Sequence, residues 1–299
     1  MTAREPGATP AVHVFIGKGG VGKTTCAAAT ALHFAGRGQR ALAISTDPTP
    51  SLSHIFGLPG HTREVRPGLE ILELGLEQVR RMWDERFGRD VYAVFSAFVD
   101  VDYPTFVAFM TSVLPGLNEE FMVDHIRRLA EEGPYRRIVW DTAPLGQTLA
   151  LLETPALLGE HLRMAPRIYS RIRTSGQGRE SILEVLRRWQ ELAEACMAFL
   201  RERVRFTMVT IPEALAVDQL EGVFGEMRSH DLGVDRLVVN NVVKMEDSEF
   251  LRRKAEGQEV QLRRLRETYG DLPIQELPLF PYELRGIERL EEAARLLYP

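Results

Sequence analysis

"GKGGVGKTT", residues 17–25, decides how the rest of this chain is read. A short apolar run, AVHVFIG (11–17), stands before it. An alanine-rich stretch, TTCAAATALHFAG (24–36), follows and ends at Gly36 and Gly38. Strand, glycine loop and helix in that order form the setting of a phosphate-binding loop. Glycines let successive backbone N–H groups turn inward around phosphate oxygens, and the helix N-terminus adds the positive end of its dipole. Gly17, Lys18, Gly19, Gly20, Val21, Gly22, Lys23, Thr24 and Thr25 are therefore the candidate nucleotide-binding residues. Lys23 suits the β- and γ-phosphates as a compact point charge where a planar guanidinium would fit poorly. Thr24 offers a hydroxyl to Mg²⁺.

The second lysine is the informative oddity. The chain has 37 Lys+Arg, yet only four are lysine: Lys18, Lys23, Lys244 and Lys254. Two of these four stand five residues apart in one glycine loop. An ordinary phosphate loop requires no lysine at the position of Lys18.

The remaining composition excludes several classes. A net charge of −5 is a poor match to nucleic acid. Two cysteines, Cys26 and Cys196, make neither a disulfide framework nor a C-x-x-C metal pair, which suits a reducing cytoplasm. The N-terminal residues lack a signal-peptide layout, and no long uncharged apolar run reads as a membrane span. The expectation is a soluble cytoplasmic protein.

Strand signals recur along the chain: ALAIST (41–46), LEILEL (69–74), RRIVWD (136–141), VRFTMVT (204–210), DRLVVNN (235–241) and PIQELPL (273–279). Helical stretches separate them, which predicts an α/β fold with a doubly wound, mostly parallel sheet. Residues 1–299 read as a single domain. The stretches 76–133 and about 155–203 read as wholly helical, one subdomain inserted between strands. SGQG (175–178) reads as a loop inside the second stretch.

The form GKGGVGKT resembles the deviant Walker A loop of the MinD/ParA partitioning ATPases, the nitrogenase iron protein and the arsenite-pump ATPases. That resemblance implies that Lys18 crosses a dimer interface to the partner's nucleotide. STDPTPSLSHIFG (45–57) is similar to switch I of the ArsA family, with Thr49, Pro50 and His54 departing from its pattern. The similarity makes Asp47 the residue that positions the attacking water, a role a carboxylate can fill. IVWDTAPLGQTLALL (138–152) resembles the family's switch II. Asp141 then holds Mg²⁺ through water, Gly146 faces the γ-phosphate, and Leu145 and Gln147 replace a threonine and a histidine. LPGLNEEF (114–121), VTIPE (209–213), VVNN (238–241) and LPLFPYELRGIERL (277–290) extend the resemblance to the C-terminus. They imply that Asn240 reads the adenine edge and that Pro278 and Phe280 flank the base.

The ArsA family includes arsenite-pump subunits and the ATPases that target tail-anchored membrane proteins. The departures weigh the choice. Soft As(III) needs clustered thiolates, and two scattered cysteines do not supply them. The targeting factor's zinc clamp falls at DSEFLRRKAEGQ (247–258), where no thiol or histidine stands, so ATP and Mg²⁺ are expected and zinc is not. Phe95, Phe98, Phe106, Phe109 and Met110 form an apolar stripe interrupted at DVDYP. It reads either as subdomain core or as a groove for an apolar helix. Arg163, Arg167, Arg171, Arg173 and Arg179 read as a solvated face, or as a contact for acidic partners or lipid head groups. The leading expectation is a homodimeric ATPase that captures and releases a hydrophobic membrane-protein client, with any membrane contact made through partners. An ATPase subunit energising an anion efflux pump is the alternative. A MinD-like positioning ATPase is the third, disfavoured by the mixed charge of ELRGIERLEEAARLL.

Overall fold

The computed structural model describes residues 12–46, 51–58, 63–89, 92, 96, 101–113, 117–142 and 176–299. For parts of the helices at 76–88, 103–113, 117–132 and 176–202 it describes the backbone only. The glycine loop issues from β1 (Val12–Ile16), a strand buried along almost its whole length. Such a strand must be covered on both faces, and its neighbours are correspondingly apolar. β5 (Arg137–Asp141) pairs with one side of β1 and β6 (Val204–Thr210) with the other, both parallel. β2 (Ala41–Ser45) and β4 (Leu69–Glu73) extend the sheet beyond β5, while β7 (Val234–Val242) and β8 (Ile274–Pro278) extend it beyond β6. With β3 (Glu64–Arg66) at one edge, the eight strands of the described residues run in the order β3-β4-β2-β5-β1-β6-β7-β8. Strand order thus reverses at β1, and ligands of such sheets bind at that crevice, outside the carboxyl ends of the strands.

Alternate residues of each strand feed two separate cores. Phe15, Ala41, Ala43, Val139, Val209 and Val238 pack against α1 (Lys23–Gly36), α2 (Leu52–Phe56) and the last helix. Val14, Ile16, Ile44, Trp140, Phe206 and Met208 face the other side. There α3 (Leu76–Trp83), α4 (Tyr103–Val113), α5 (Leu117–Glu132) and α6 (Gly176–Glu202) contribute Trp83, Phe106, Ile126 and Leu200. α7 (Ala214–Asp218), α8 (Leu220–Ser229) and α9 (Glu249–Tyr269) cover the same face through Val217, Phe224 and Leu265. α10 (Ile287–Leu297) lies on α1, with the Tyr298 hydroxyl 3.1 Å from that of Thr30. α/β winding on both faces is therefore as the sequence pattern predicts.

Three details differ from that pattern. β3 (Glu64–Arg66) is an antiparallel edge strand with a register shift, too short and too polar to signal itself by alternation. Gly176 opens α6, so the stretch read as a loop there is helical in its described part. A glycine in a helix costs only about 1 kcal/mol, and further along α6 buries Leu192, Ala193, Cys196, Phe199 and Leu200. The third concerns Phe106, one of the five stripe residues. It is core, 1 % exposed, and packs against the rings of Trp83, Tyr92 and Tyr103. Within DVDYP, Asp102 accepts from Thr105 N and Oγ1 at 3.0 and 2.9 Å, which starts α4. Phe95 and Phe98 lie outside the described residues, as do the side chains of Phe109 and Met110.

Candidate nucleotide site

Two glycines of the loop have no room for a side chain. A Cβ on Gly17 would stand 2.3 Å from the Val209 carbonyl oxygen. A Cβ on Gly22, whose φ is +98°, would stand 2.2 Å from Asn240 Nδ2. The loop is thereby seated directly on the ends of β6 and β7. Asn240 tightens the seat: its amide is buried and donates to the Val21 carbonyl at 2.9 Å. One N–H of the amide expected to read adenine is thus committed to the loop backbone, so Asn240 joins the loop to β7.

Val21 is buried, whereas Lys18, Gly19 and Gly20 are exposed. The two lysines therefore part company. Lys23, in the first turn of α1, is buried at 7 % exposure, and its ammonium donates to the Lys18 carbonyl at 3.1 Å. It lies within the loop's own curve. Lys18 uses its backbone inward and stands exposed on the outer rim.

Asp141 ends β5 next to the loop and is 1 % exposed. Thr24 Oγ1 donates to its Oδ2 at 2.8 Å, and Ser51 Oγ donates to the same oxygen at 3.3 Å. Hydroxyl and carboxylate oxygens are the hard donors that Mg²⁺ prefers, so the residues fit that ion. Among the described residues no group of three His, Cys, Asp or Glu side chains could hold a metal.

The framework around these groups is dense with polar bonds. Thr46 N donates to the Asp141 carbonyl at 3.1 Å, and Trp140 Nε1 donates to Thr46 Oγ1 at 3.0 Å. Thr142 Oγ1 donates to the Phe15 carbonyl at 2.7 Å, joining the ends of β5 and β1. The Glu73 carboxylate, at the end of β4, accepts from Leu52 N at 3.0 Å and from Ser53 N at 3.3 Å. At the other end of α2, Gly286 N donates to the Ile55 carbonyl at 2.8 Å and Arg285 Nε to that of His54 at 3.1 Å. Pro278 pairs with Val242 in the register of β8 on β7, and Leu279 N donates to the Val242 carbonyl at 2.8 Å. Phe280 is half-buried beside Tyr282 on the chain leading from there to Arg285.

Asp47, Leu145, Gly146, Gln147, Arg163, Arg167, Arg171 and Arg173 lie outside the described residues, as does the side chain of Arg179. Ser51 falls within the switch I stretch but carries no role in the sequence pattern, and Glu73 none at all. Glu73 signals itself in sequence only as a polar residue at a strand's carboxyl end, and Ser51 only as a polar residue directly before a short helix.

The cysteines occupy opposite faces of the sheet. Cys26 belongs to the core under α1 and Cys196 to the core under α6, each fully buried. Burial pushes the Cys26 thiol up to about 12, with Asp141 adding to the rise.

A family model described as anion-transporting ATPase matches residues 11–299. An arsenical pump-driving ATPase of Aquifex aeolicus is 27% identical over 296 residues, covering 96% of this chain and 98% of its own. The ATPase GET3 of Komagataella phaffii is 28% identical, covering 95% of this chain and 89% of its own. The ATPase GET3A of Arabidopsis thaliana is 28% identical, with 93% and 81% covered.

Proposed function

This chain belongs to the anion-transporting ATPase family and is an ATP hydrolase, and on that premise we propose that it works as a Mg²⁺-dependent homodimer that captures and releases a hydrophobic membrane-protein segment. Relatives carry the names of both a pump-driving ATPase and GET3, so the family alone does not choose between these tasks. The observation that carries the choice is the placement of the two cysteines. They lie in separate cores on opposite faces of the sheet. Thiolates so placed do not converge on one soft ion, and a thiol raised to about 12 is protonated at neutral pH. A thiol-triggered pump subunit is therefore the weaker reading.

In this reading Lys23, the loop amides and Thr25 hold the phosphates, and Asn240, Pro278 and Phe280 border the base. Thr24 and Asp141 seat the cation, which supplies neutralisation of the phosphate charge when bound. Asp47 orients water. Lys18, exposed on the loop's rim, serves the partner's nucleotide. The helices between β4 and β6 form the client-binding subdomain, with Phe95, Phe98, Phe109 and Met110 facing the client. Methionine and phenylalanine adapt to varied apolar helices.

Crosslinking of the dimer to a labelled apolar helix, with ADP and with a non-hydrolysable ATP analogue, tests the reading. Capture should depend on the nucleotide and should be lost in Phe98→Asp/Phe109→Asp, while basal hydrolysis and Tm persist. Capture indifferent to nucleotide and to both substitutions would reject it, and the pump subunit would become the better reading.

A further inference from the structure

The cation end of the site is held by more than its two candidate ligands. Ser51 Oγ reaches the same Asp141 oxygen that Thr24 uses, at 3.3 Å. Ser51 directly precedes α2, a helix too short to hold its own position. The first turn of α2 is gripped by one carboxylate: Glu73 accepts from Leu52 N at 3.0 Å, from Ser53 N at 3.3 Å and from Ser53 Oγ at 3.1 Å. Glu73 is itself anchored, because the next residue, Leu74, donates its N–H to the Ser45 carbonyl at 2.9 Å and so ties the end of β4 to β2. A continuous chain of contacts therefore runs from β4 through Glu73 and the first turn of α2 to Ser51, and from Ser51 to Asp141.

We propose that Glu73 is a positioning residue of the hydrolytic site, acting through Ser51 on Asp141. A carboxylate accepting several bonds places the Ser51 hydroxyl on one side of Asp141 Oδ2 while Thr24 occupies another. The carboxylate is thereby held in one orientation before the cation arrives. Partners that orient a metal ligand without touching the metal commonly matter about 10–100-fold in affinity or activity. A plain helix cap, by contrast, adds stability and leaves cation binding alone.

The inference rests on Thr24 and Asp141 as the cation's seat, and the experiment separates the two ideas. Affinity of the full chain for Mn²⁺, with a non-hydrolysable ATP analogue bound, is read by electron paramagnetic resonance without turnover. Glu73→Ala and Ser51→Ala should each weaken Mn²⁺ binding about tenfold. The double variant should be no weaker than the poorer single one, because both act along one path. Glu73→Gln keeps an acceptor for Leu52 N, folds more safely and should lose about threefold, a loss that vanishes in a Ser51→Ala background. Wild-type Mn²⁺ affinity in Glu73→Gln and Ser51→Ala, or losses that multiply in the double variant, would overturn the role of Glu73. Unchanged Mn²⁺ affinity in Asp141→Asn would instead overturn the seat itself.

Discussion

At Gly22 a single hydrogen atom separates a working phosphate loop from a collision. At its φ of +98° an alanine would be strained, and its Cβ would stand 2.2 Å from Asn240 Nδ2, so Asn240 would have to give up its bond to Val21. Gly22→Ala should therefore lose ATP binding, measured with a fluorescent nucleotide, and should lower Tm as well. Gly20 also has a positive φ but open space about it, so Gly20→Ala should be milder in both assays. Asp47 tests a different property. Asp47→Asn keeps the cradle but removes the carboxylate that orients water, so binding should persist while kcat falls about 100-fold or more. Near-normal turnover in that variant would exclude the assigned role.

At the scale of elements, the helices over the Trp140 side of the sheet combine packing with whatever binding they perform. Phe106 shows how these separate. Its ring lies among Trp83, Tyr92 and Tyr103, and it is 1 % exposed. Phe106→Ala should cost about 3–5 kcal/mol of unfolding free energy in denaturant titrations, as for other buried phenylalanines. Phe98→Ala and Phe109→Ala should cost well under half of that if they line a client groove. Equal losses at all three positions would make the whole stripe core. The sequence pattern announces an apolar stripe at helical spacing but not which member of it packs inward, because both uses produce the same spacing.

At the scale of the whole molecule, the proposed dimer pairs two nucleotide sites, and the fold implies a weakness to acid. In a mixture of Lys18→Ala and Asp47→Asn proteins, one site of each hybrid dimer has its own Asp47 and Lys23 and receives Lys18 from the partner. ATPase activity should partly return on mixing the two inactive proteins; none despite demonstrated hybrids would count against action in trans. The acid weakness lies at the opposite end of the sheet. His13 is half-buried against Phe34 and within electrostatic reach of the guanidinium groups of Arg137, Arg205 and Arg236. Burial first, and those cations second, push it down from 6.5 to about 4. The unfolded chain therefore binds a proton between about pH 6.5 and 4 that the folded chain refuses. Stability should be full above that window and should fall as pH drops through it, by on the order of 3 kcal/mol from this histidine. Burial also lowers His33 and His125, which adds in the same direction. His13→Gln should flatten the pH dependence of Tm in that range; an unchanged slope would remove His13 as its source.

Much of the fold and the loop was legible in local sequence, because each depends on neighbours a few residues apart. A strand buried on both faces must be an apolar run, and a phosphate nest must have glycines before a helix. Hence β1, α1, β5 with Asp141 at its end, β6 and β7 all stood out, and Lys18 announced itself by the rarity of lysine. What only the tertiary structure decided depends on residues distant in sequence. Asn240 reaches back to Val21, Glu73 grips α2, Ser51 shares an oxygen of Asp141 with Thr24, and Phe106 turns into the core. No local pattern encodes such contacts, because a polar residue at a strand end looks the same whether it meets water or another strand's loop. The sheet order brings the carboxyl ends of β1, β5, β6 and β7 to one crevice, and there Val21, Thr24, Ser51, Asp141 and Asn240 come together as one candidate site.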